Sequence, residues 1–231
     1  MAENNEKNIV SEEDDEVKIT EPKNYLYNIA GSFFIVWLLW LIKVYAFDGI
    51  IKTMGLWPQS IINSFFKCIV LIPIPFYLIK NKKVWISWKE MIHNKINIKT
   101  FGILFAFVVF KFFLELMNSG FSESFHVSKL LVSFLLVGIT EELLFRGWIY
   151  NALLITVSDT LAIILQGLMF VMLHLPGYIY AGTVFSGAAL SNYVVYFVLG
   201  VAFAWAFKKD KSIWTPIAIH MLWDLAMLLV M

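Results

Sequence analysis

Long apolar segments alternate with short polar ones along most of the chain. Seven stretches are rich in Leu, Ile, Val, Phe and Trp and poor in charge, and their approximate limits are 25–46, 60–80, 101–117, 128–154, 160–176, 188–207 and 212–231. An α-helix needs about 20 apolar residues to cross the hydrocarbon core of a bilayer. Only helices and closed barrels satisfy all their backbone hydrogen bonds there. The pattern therefore predicts an all-α, polytopic transmembrane helical bundle with about seven spans. Pro73 and Pro75 lie in the second span and predict that it bends or ends early.

The composition agrees with a membrane protein. The chain has 231 residues, of which 60% are hydrophobic and 15% are charged, whereas a soluble domain carries about 25% charged residues. The net charge of +1 gives no indication of nucleic-acid binding. The single cysteine, Cys68, cannot form an internal disulfide. The partners that the composition predicts are the lipid bilayer and molecules associated with it.

The first residues differ from the rest of the chain. Residues 1–23 include the acidic run Glu12–Glu16 and have few apolar positions, so they are expected to form a disordered tail. A secretory signal peptide would need a basic segment and a small-residue cleavage site, and neither is visible. We divide the remainder into N-terminal spans, 24–127, and a segment with candidate chemistry, 128–231.

The lysines predict the orientation in the membrane. Two loops between spans are lysine-rich, and their lysines are Lys80, Lys82, Lys83, Lys89, Lys95 and Lys99 in one loop and Lys208, Lys209 and Lys211 in the other. Lysine-rich loops stay in the cytoplasm. With seven spans, both loops and the N-terminus lie on one side. The prediction is an integral membrane protein with a cytoplasmic N-terminus. Trp85 and Trp88 beside the lysines indicate an interfacial segment between spans.

Several charged residues lie within apolar segments. Glu141, Glu142 and Arg146, which is the only arginine in the chain, lie in the fourth span. Ionisable groups at such depth are costly and are expected to be paired or functional. On a helix, Glu142 and Arg146 are i,i+4 neighbours and can form an ion pair. Glu141 lies about 100° further round the helix, which leaves its carboxylate for another role. Lys43 and Lys67 are interpreted as snorkelling lysines, and Lys111 with Glu115 as a structural pair.

Two of the four histidines also lie in spans. His174 lies near the end of the fifth span, and His220 lies in the last span, four residues before Asp224. His174 has a structural interpretation as a side chain hydrogen-bonded to a neighbouring helix, and His220 has one as a structural pair with Asp224. At a rise of ~1.5 Å per residue, Glu141 and His174 lie roughly 20 Å from the cytoplasmic ends of their spans, and His220 about 12 Å. These depths predict convergence near the midplane or in the cytoplasmic half.

A carboxylate with two imidazoles can activate water in two ways. Glu141 can act as a general base while a histidine orients the water. Alternatively, Glu141, His174 and His220 can hold a zinc ion that lowers the pKa of its bound water. Either arrangement fits hydrolysis of an acyl bond in a membrane cavity, so the cofactor is zinc or none.

Three motifs occur in order on separate spans: Glu141-Glu142-x-x-x-Arg146, Phe170-x-x-x-His174 and His220-x-x-x-Asp224. In these motifs and in their order, residues 128–231 resemble the CAAX protease and bacteriocin-processing enzyme family, also called Abi. The resemblance implies an intramembrane endopeptidase that acts on a peptide or lipidated-protein substrate. It implies that Glu141 and His174 activate water and that Glu142 and Arg146 support them. His220 and Asp224 would form the oxyanion side or complete the water-binding set. The last motif often ends in Asn, and an ionised aspartate cannot donate a hydrogen bond.

Other functions remain open on this sequence. One is a bacteriocin self-immunity or regulatory membrane protein that acts by binding. Another is an ion-coupled transporter, since intramembrane Glu, His and Asp also form proton relays, although inverted repeats are not visible. The lysine- and isoleucine-rich, arginine-poor composition is typical of an AT-rich bacterium, so a bacterial cell membrane is the expected location.

Overall fold

The computed structural model describes residues 22–230, apart from the side chains of Ser133 and Leu135. The chain is 82% helical, and no strand occurs in the described part. The α-helices are α1 (Pro22–Ile51), α2 (Leu56–Leu71), α3 (Pro73–Asn81), α4 (Trp88–His93), α5 (Ile98–Ser119), α6 (Val137–Glu142), α7 (Asn151–Leu153), α8 (Asp159–Tyr180), α9 (Gly187–Asp210) and α10 (Trp214–Val230). Two π-helical segments, π1 (Leu130–Leu136) and π2 (Leu143–Tyr150), lie before and after α6. The all-α prediction is confirmed.

Each of the seven predicted spans corresponds to a helical crossing. Within residues 22–230, α1, α2 with α3, α5, α8 and α9 give five helices that are long and apolar enough to cross a membrane. The fourth crossing is divided among π1, α6, π2 and α7, and the last one, α10, has 17 residues. The second crossing breaks as predicted, because α2 ends at Leu71 and Pro73 starts α3. Proline is tolerated at the first helical position, where no N–H is needed.

The fourth crossing is unusual because α6 is enclosed by π-helical segments. Regular π-helix is rare and often occurs at functional sites. Glu141 and Glu142 end α6, and Arg146 follows in π2. This crossing packs against α2, α3, α8 and α10, so its side chains face neighbours on several sides. The position of the two glutamates is therefore central in the bundle.

The loop with Trp85 and Trp88 forms a short cover over one end of the bundle. Ser87 and Glu90 make a capping box at the start of α4. Asn151 holds the segment before α4, because its side chain accepts from Ile86 N (2.8 Å) and donates to Ile86 O (2.8 Å). Ile213 N donates to Met91 O at 3.2 Å. The predicted segment between spans is thus a helix fixed to the bundle.

The predicted domain limits lie partly outside the residues that the structure describes. The tail prediction falls on residues 1–21, which lie outside the described residues, and on Pro22 and Lys23, which belong to α1. Helices from both sides of the 127/128 boundary pack together, α1 against α8 and α5 against α10. The division into 24–127 and 128–231 stays a prediction about function, since the two parts share one bundle.

Candidate functional site

One cavity joins three of the residues that the sequence singled out. Glu141 on α6, His174 on α8 and Asp224 on α10 all line a space of about 590 Å³. Lys67 on α2 also lines it. Pockets for small ligands have volumes of roughly 300–1,000 Å³, so the space admits a short peptide segment with water. Of the three side chains predicted to converge, Glu141 and His174 therefore meet at the cavity together with Asp224, whereas His220 does not line it.

Glu141 has one oxygen engaged and one available. Its Oε1 accepts from Lys67 Nζ at 2.9 Å. Its Oε2 is buried and has no hydrogen-bond partner among the described residues. The residue is 4% exposed. A buried carboxylate oxygen without a partner costs free energy, so its presence needs an explanation. An acceptor aimed at a water or a substrate supplies one.

Lys67 is the functional candidate that the sequence interpretation missed. It is buried, and its ammonium lies 5.0 Å from the centre of the Trp40 ring as well as beside Glu141. The snorkelling interpretation was wrong because the side chain faces the bundle interior rather than a span end. A signal was available in the sequence. Once Arg146 is assigned to Glu142, Glu141 lacks a counter-charge, and Lys67 is a lysine in the middle of another span.

The other intramembrane lysines also form ion pairs. Lys43 is buried and pairs with Asp48 at 2.6 Å, so snorkelling does not describe it either. Lys111 pairs with Glu115 on α5, as predicted. Asp48 lines the cavity, whereas Glu115 does not. Glu115 is therefore a second intramembrane glutamate with a lysine partner, away from the candidate site.

His174 is fixed in one orientation. Its Nδ1 contacts Phe170 O at 2.9 Å, and its ring stacks on the Tyr196 ring with centroids 3.9 Å apart. Because a carbonyl oxygen only accepts, Nδ1 carries the proton in this contact. In the neutral ring, Nε2 is then the nitrogen that can accept a hydrogen bond from water. This is the tautomer that a water-orienting histidine needs.

Glu142, Arg146 and His220 form a buried network beside the cavity. Glu142 Oε1 accepts from Arg146 Nη1 at 2.9 Å and from His220 Nδ1 at 2.7 Å. Arg146 and Glu142 are fully buried. The i,i+4 ion pair predicted for Glu142 and Arg146 is thus present. His220 is held by Glu142 as well as facing Asp224, a contact between α6 and α10 that sequence spacing does not reveal.

Arg146 connects the network to two more helices. Its Nη2 donates to Gly200 O at 2.8 Å, and Gln166 Nε2 donates to the same carbonyl at 2.8 Å. The guanidinium lies 4.9 Å from the Phe170 ring centre and 5.2 Å from that of Phe203. Aromatic faces attract cations. The arginine therefore links π2, α8 and α9. Its buried charge is stabilised by a carbonyl oxygen and aromatic rings rather than by water.

Asp224 lines the cavity, whereas His220 lies next to Asp224 and does not line the cavity. His220 Nε2 is 3.8 Å from Asp224 Oδ2, which is too long for a hydrogen bond but close enough for attraction between charges. Asp224 lines the cavity, whereas His220, Glu142 and Arg146 do not. The six predicted residues therefore separate into three that line the cavity and three that form the buried network beside it.

The arrangement does not fit the predicted zinc ligands. In residues 22–230, no group of three or more His, Cys, Asp and Glu side chains is placed to hold a metal ion. Glu141 Oε1 is committed to Lys67, and His220 Nε2 faces Asp224 at 3.8 Å. Glu141, His174 and His220 are thus not brought together as ligands. The zinc interpretation stays a prediction.

The cavity opens away from the lysine-rich loops. Ser124 and Lys129, from the segment between α5 and π1, line it together with Asp48 near the end of α1. The lysine-rich loops lie at the opposite ends of these helices. At ~1.5 Å per residue, His174 lies only about 9 Å from the end of α8. Of the two depths expected, near the midplane or in the lysine-rich half, the second is not supported, because the cavity is lined by residues at the other end of the bundle.

Residues 123–226 match the family of type II CAAX prenyl endopeptidases described as Rce1-like. The matched segment, a little under half of the chain, is similar to an Rce1-like domain. All six residues predicted from the motifs lie inside it, whereas Lys67 lies outside. No curated protein matches the chain. The resemblance to the CAAX protease family is confirmed, and the Rce1-like domain supports a membrane-embedded endopeptidase of the CAAX type.

Proposed function

We propose that this protein is an intramembrane endopeptidase that hydrolyses peptide bonds of membrane-associated substrates with water activated by Glu141 and His174. The observation that carries the proposal is that both side chains line one cavity and that, among the described residues, each has a polar atom left available by its other contacts. These atoms are Glu141 Oε2 and His174 Nε2. A general base must lie within hydrogen-bond reach of the proton that it removes, so we place the attacking water between these two atoms.

The reaction needs water and the peptide bond alone. Glu141 removes a proton from the water while His174 orients it, and the water oxygen bonds to the carbonyl carbon. The carbonyl oxygen takes the negative charge of the tetrahedral intermediate. The proton on Glu141 then passes to the amide nitrogen, and the C–N bond breaks. The oxyanion re-forms the C=O bond as the C–N bond breaks, which gives a carboxylic acid and an amine, and Glu141 is again ionised. The acid then passes its remaining proton to the amine or to water.

Lys67 and Asp224 supply the remaining charges at the cavity. The Lys67 ammonium lies 2.9 Å from Glu141 Oε1, which places a positive charge beside the attacking water. A fixed positive charge stabilises an oxyanion strongly in a site that excludes bulk water. The Asp224 carboxylate, held near His220, is the acceptor available to a substrate N–H.

Glu142, Arg146 and His220 have a positioning role in this proposal. Arg146 fixes Glu142, Glu142 fixes His220 through Nδ1, and His220 faces Asp224. None of the three lines the cavity. Site geometry of this kind must be held within about 0.5 Å by surrounding hydrogen bonds. The network holds the cavity side chains in position without itself contacting the reacting atoms.

The lining of the cavity indicates an extended, partly apolar peptide segment. Trp40, Val44, Leu173 and Met227 line the space around the polar groups. Apolar walls with a few placed polar groups are typical of ligand sites. The substrate class is therefore a peptide or lipidated protein whose scissile bond lies beside its membrane anchor. Such a substrate brings the bond to the depth of Glu141.

The decisive experiment compares two glutamate substitutions in purified protein in nanodiscs. Glu141→Gln keeps the shape of the side chain and removes the base, and cleavage of a membrane-anchored peptide library should fall by roughly 10²–10⁴-fold. Glu115→Gln is the matched control, since Glu115 is also paired with a lysine in a span but does not line the cavity. Its cleavage rate should stay near that of the wild type.

Two outcomes would contradict the proposal. Cleavage by Glu141→Gln at the wild-type rate would remove Glu141 from the reaction. Cleavage that stops with a chelator, together with stoichiometric zinc that is lost in Glu141→Gln, would replace the metal-free mechanism by a metal-dependent one. Cleavage that ignores the chelator and needs Glu141 supports the mechanism proposed.

A further inference from the structure

We propose that substrates reach the cavity from the extracytoplasmic side of the membrane. What happens to the substrate there rests on the proposed function, whereas the direction of access rests on the bundle itself. Three independent features carry it: the distribution of lysines, the residues at the mouth of the cavity, and a closed layer of side chains on the other side.

The two lysine-rich loops lie together at one end of the bundle. Asn94 Nδ2 donates to Lys211 O at 2.7 Å, and the Lys211 ammonium lies 5.5 Å from the Trp85 ring centre. Thr100 Oγ1 donates to Asp210 Oδ1 at 2.7 Å. These contacts join the loop around α4 to the turn between α9 and α10. Lysines at this density near span ends mark the cytoplasmic side.

The mouth of the cavity lies at the opposite end. Ser124 is exposed and lies in the segment between α5 and π1, and Gly177 is exposed near the end of α8. Ser122 N donates to Leu229 O at 2.8 Å, which ties this segment to the end of α10. The ends of α5, α8 and α10 therefore surround the mouth. Each of these helices starts at the lysine-rich end.

A layer of closely packed side chains separates the cavity from the lysine-rich end. Its members follow the two glutamates along the fourth crossing or precede Lys208, and each is at most 1% exposed: Phe145, Trp148, Ile149, Tyr150 and Phe207. The Tyr150 and Phe207 rings are in edge contact, with centroids 6.3 Å apart. Beyond this layer, Asn151 fixes the segment before α4. None of these five side chains lines the cavity, so within residues 22–230 they form a packed layer between the cavity and the lysine-rich end.

These features together define the substrate by its location. With the lysine-rich end in the cytoplasm, the open mouth faces the outer water and the outer leaflet. A peptide segment beside a membrane anchor on the extracytoplasmic surface can enter directly. A lipidated C-terminus on the cytoplasmic surface meets the closed layer instead. The substrate is therefore a peptide segment displayed outside the cell or on its way out.

The test uses cysteine labelling in intact cells. Cys68 is the only cysteine, so Cys68→Ala gives a background without thiols. Ser124→Cys reports the mouth of the cavity, and Gly177→Cys does so again, because an added Cβ at Gly177 meets no atom within 4 Å. Asn81→Cys, at the end of α3, is the matched control, since it is exposed at the lysine-rich end and its substitution removes no charge.

A membrane-impermeant maleimide should label Ser124→Cys and Gly177→Cys in intact cells and Asn81→Cys only after permeabilisation. The reverse pattern would overturn the proposal. Labelling does not depend on catalysis, so the same pattern is expected in a Glu141→Gln background. The direction of access and the proposed chemistry can thus fail separately.

A second measurement tests whether the mouth is the path of the substrate. In purified protein in nanodiscs, each cysteine variant is compared before and after attachment of a large polyethylene glycol maleimide. Attachment at Ser124→Cys or Gly177→Cys should cause loss of cleavage, whereas attachment at Asn81→Cys should not change it. Loss of cleavage only on modification at Asn81→Cys would show that substrates enter from the lysine-rich end.

Discussion

At the scale of single residues, the contact between Lys67 and Glu141 decides the character of the site. A lone carboxylate at this depth is expensive, and a nearby lysine both compensates its charge and fixes one of its oxygens. The second oxygen is thereby directed away from the lysine. Both glutamates have a buried Oε2 without a hydrogen-bond partner among the described residues. Glu141 lines the cavity, whereas Glu142, whose Oε1 accepts from Arg146 and His220, does not. Adjacent glutamates thus have different roles because their partners differ.

Lys67 should be required for both stability and cleavage. Lys67→Met leaves Glu141 buried without a counter-charge, and removal of one partner of a buried ion pair costs roughly 3–5 kcal/mol. Lys67→Arg keeps the charge and should restore much of kcat, measured with the anchored peptide library. Lys111→Met is the control, because Lys111 pairs with Glu115 away from the cavity. Wild-type kcat in Lys67→Met would show that the lysine has no part in the site.

At the scale of elements, small residues allow the helices around the site to approach closely. A Cβ built on Gly200 of α9 would lie 3.1 Å from the Gly167 Cα of α8. A Cβ on Gly138 of α6 would lie 2.7 Å from Met221 Cγ of α10. Small residues at such interfaces let helix backbones pack in a membrane. The carbonyl of Gly200 also accepts from Arg146 and Gln166, so the α8–α9 contact holds the network in place.

Gly200→Val should separate α8 from α9 and weaken the network. The neighbour is backbone, which cannot move aside as a flexible side chain does, so we expect lower thermal stability together with lower cleavage. Gly102→Val on α5 is the matched control, since a Cβ there meets nothing within 4 Å. Thermal unfolding in detergent measures the first effect and the peptide assay the second. Equal melting temperatures for the two variants would contradict this account of the interface.

At the scale of the whole molecule, one buried network connects four parts of the bundle. Arg146 on π2 contacts Glu142 on α6 and the Gly200 carbonyl on α9, and Glu142 contacts His220 on α10. Burial of such charges is tolerated only when each has partners. The network therefore fixes the relative positions of the helices that carry Glu141, His174 and Asp224.

Arg146→Met should destabilise the bundle by roughly 3–5 kcal/mol, because Glu142 is left buried without its cation. The double variant Glu142→Gln, Arg146→Met removes both charges and should recover a large part of this loss, since glutamine still accepts from His220. Unfolding titrations in mixed micelles measure the free energy of unfolding of the single and the double variant. Lys208→Met is the control, because its pair with Asp159 is exposed and surface pairs contribute about 0–1 kcal/mol. A double variant no more stable than Arg146→Met would argue against charge burial as the cause.

By itself, the sequence determined the fold class, the seven crossings, the break before Pro73, the pairing of Glu142 with Arg146 and the resemblance to the CAAX protease family. Each of these depends on local patterns. Apolar runs of membrane length, a proline in a helix and charges four residues apart have consequences that do not require knowledge of distant neighbours. The convergence of Glu141, His174 and Asp224 was also predictable, because ionisable groups in separate spans avoid lipid by facing one another.

Only the tertiary structure decided which of these residues reach the cavity, that Lys67 joins them, that His220 binds Glu142, and towards which end the cavity opens. Each of these depends on how helices distant in sequence rotate and tilt against each other. A rise of ~1.5 Å per residue places a side chain along its helix axis, but it does not say which neighbour the side chain faces. That choice is made by packing between helices, through close contacts such as Gly167 with Gly200.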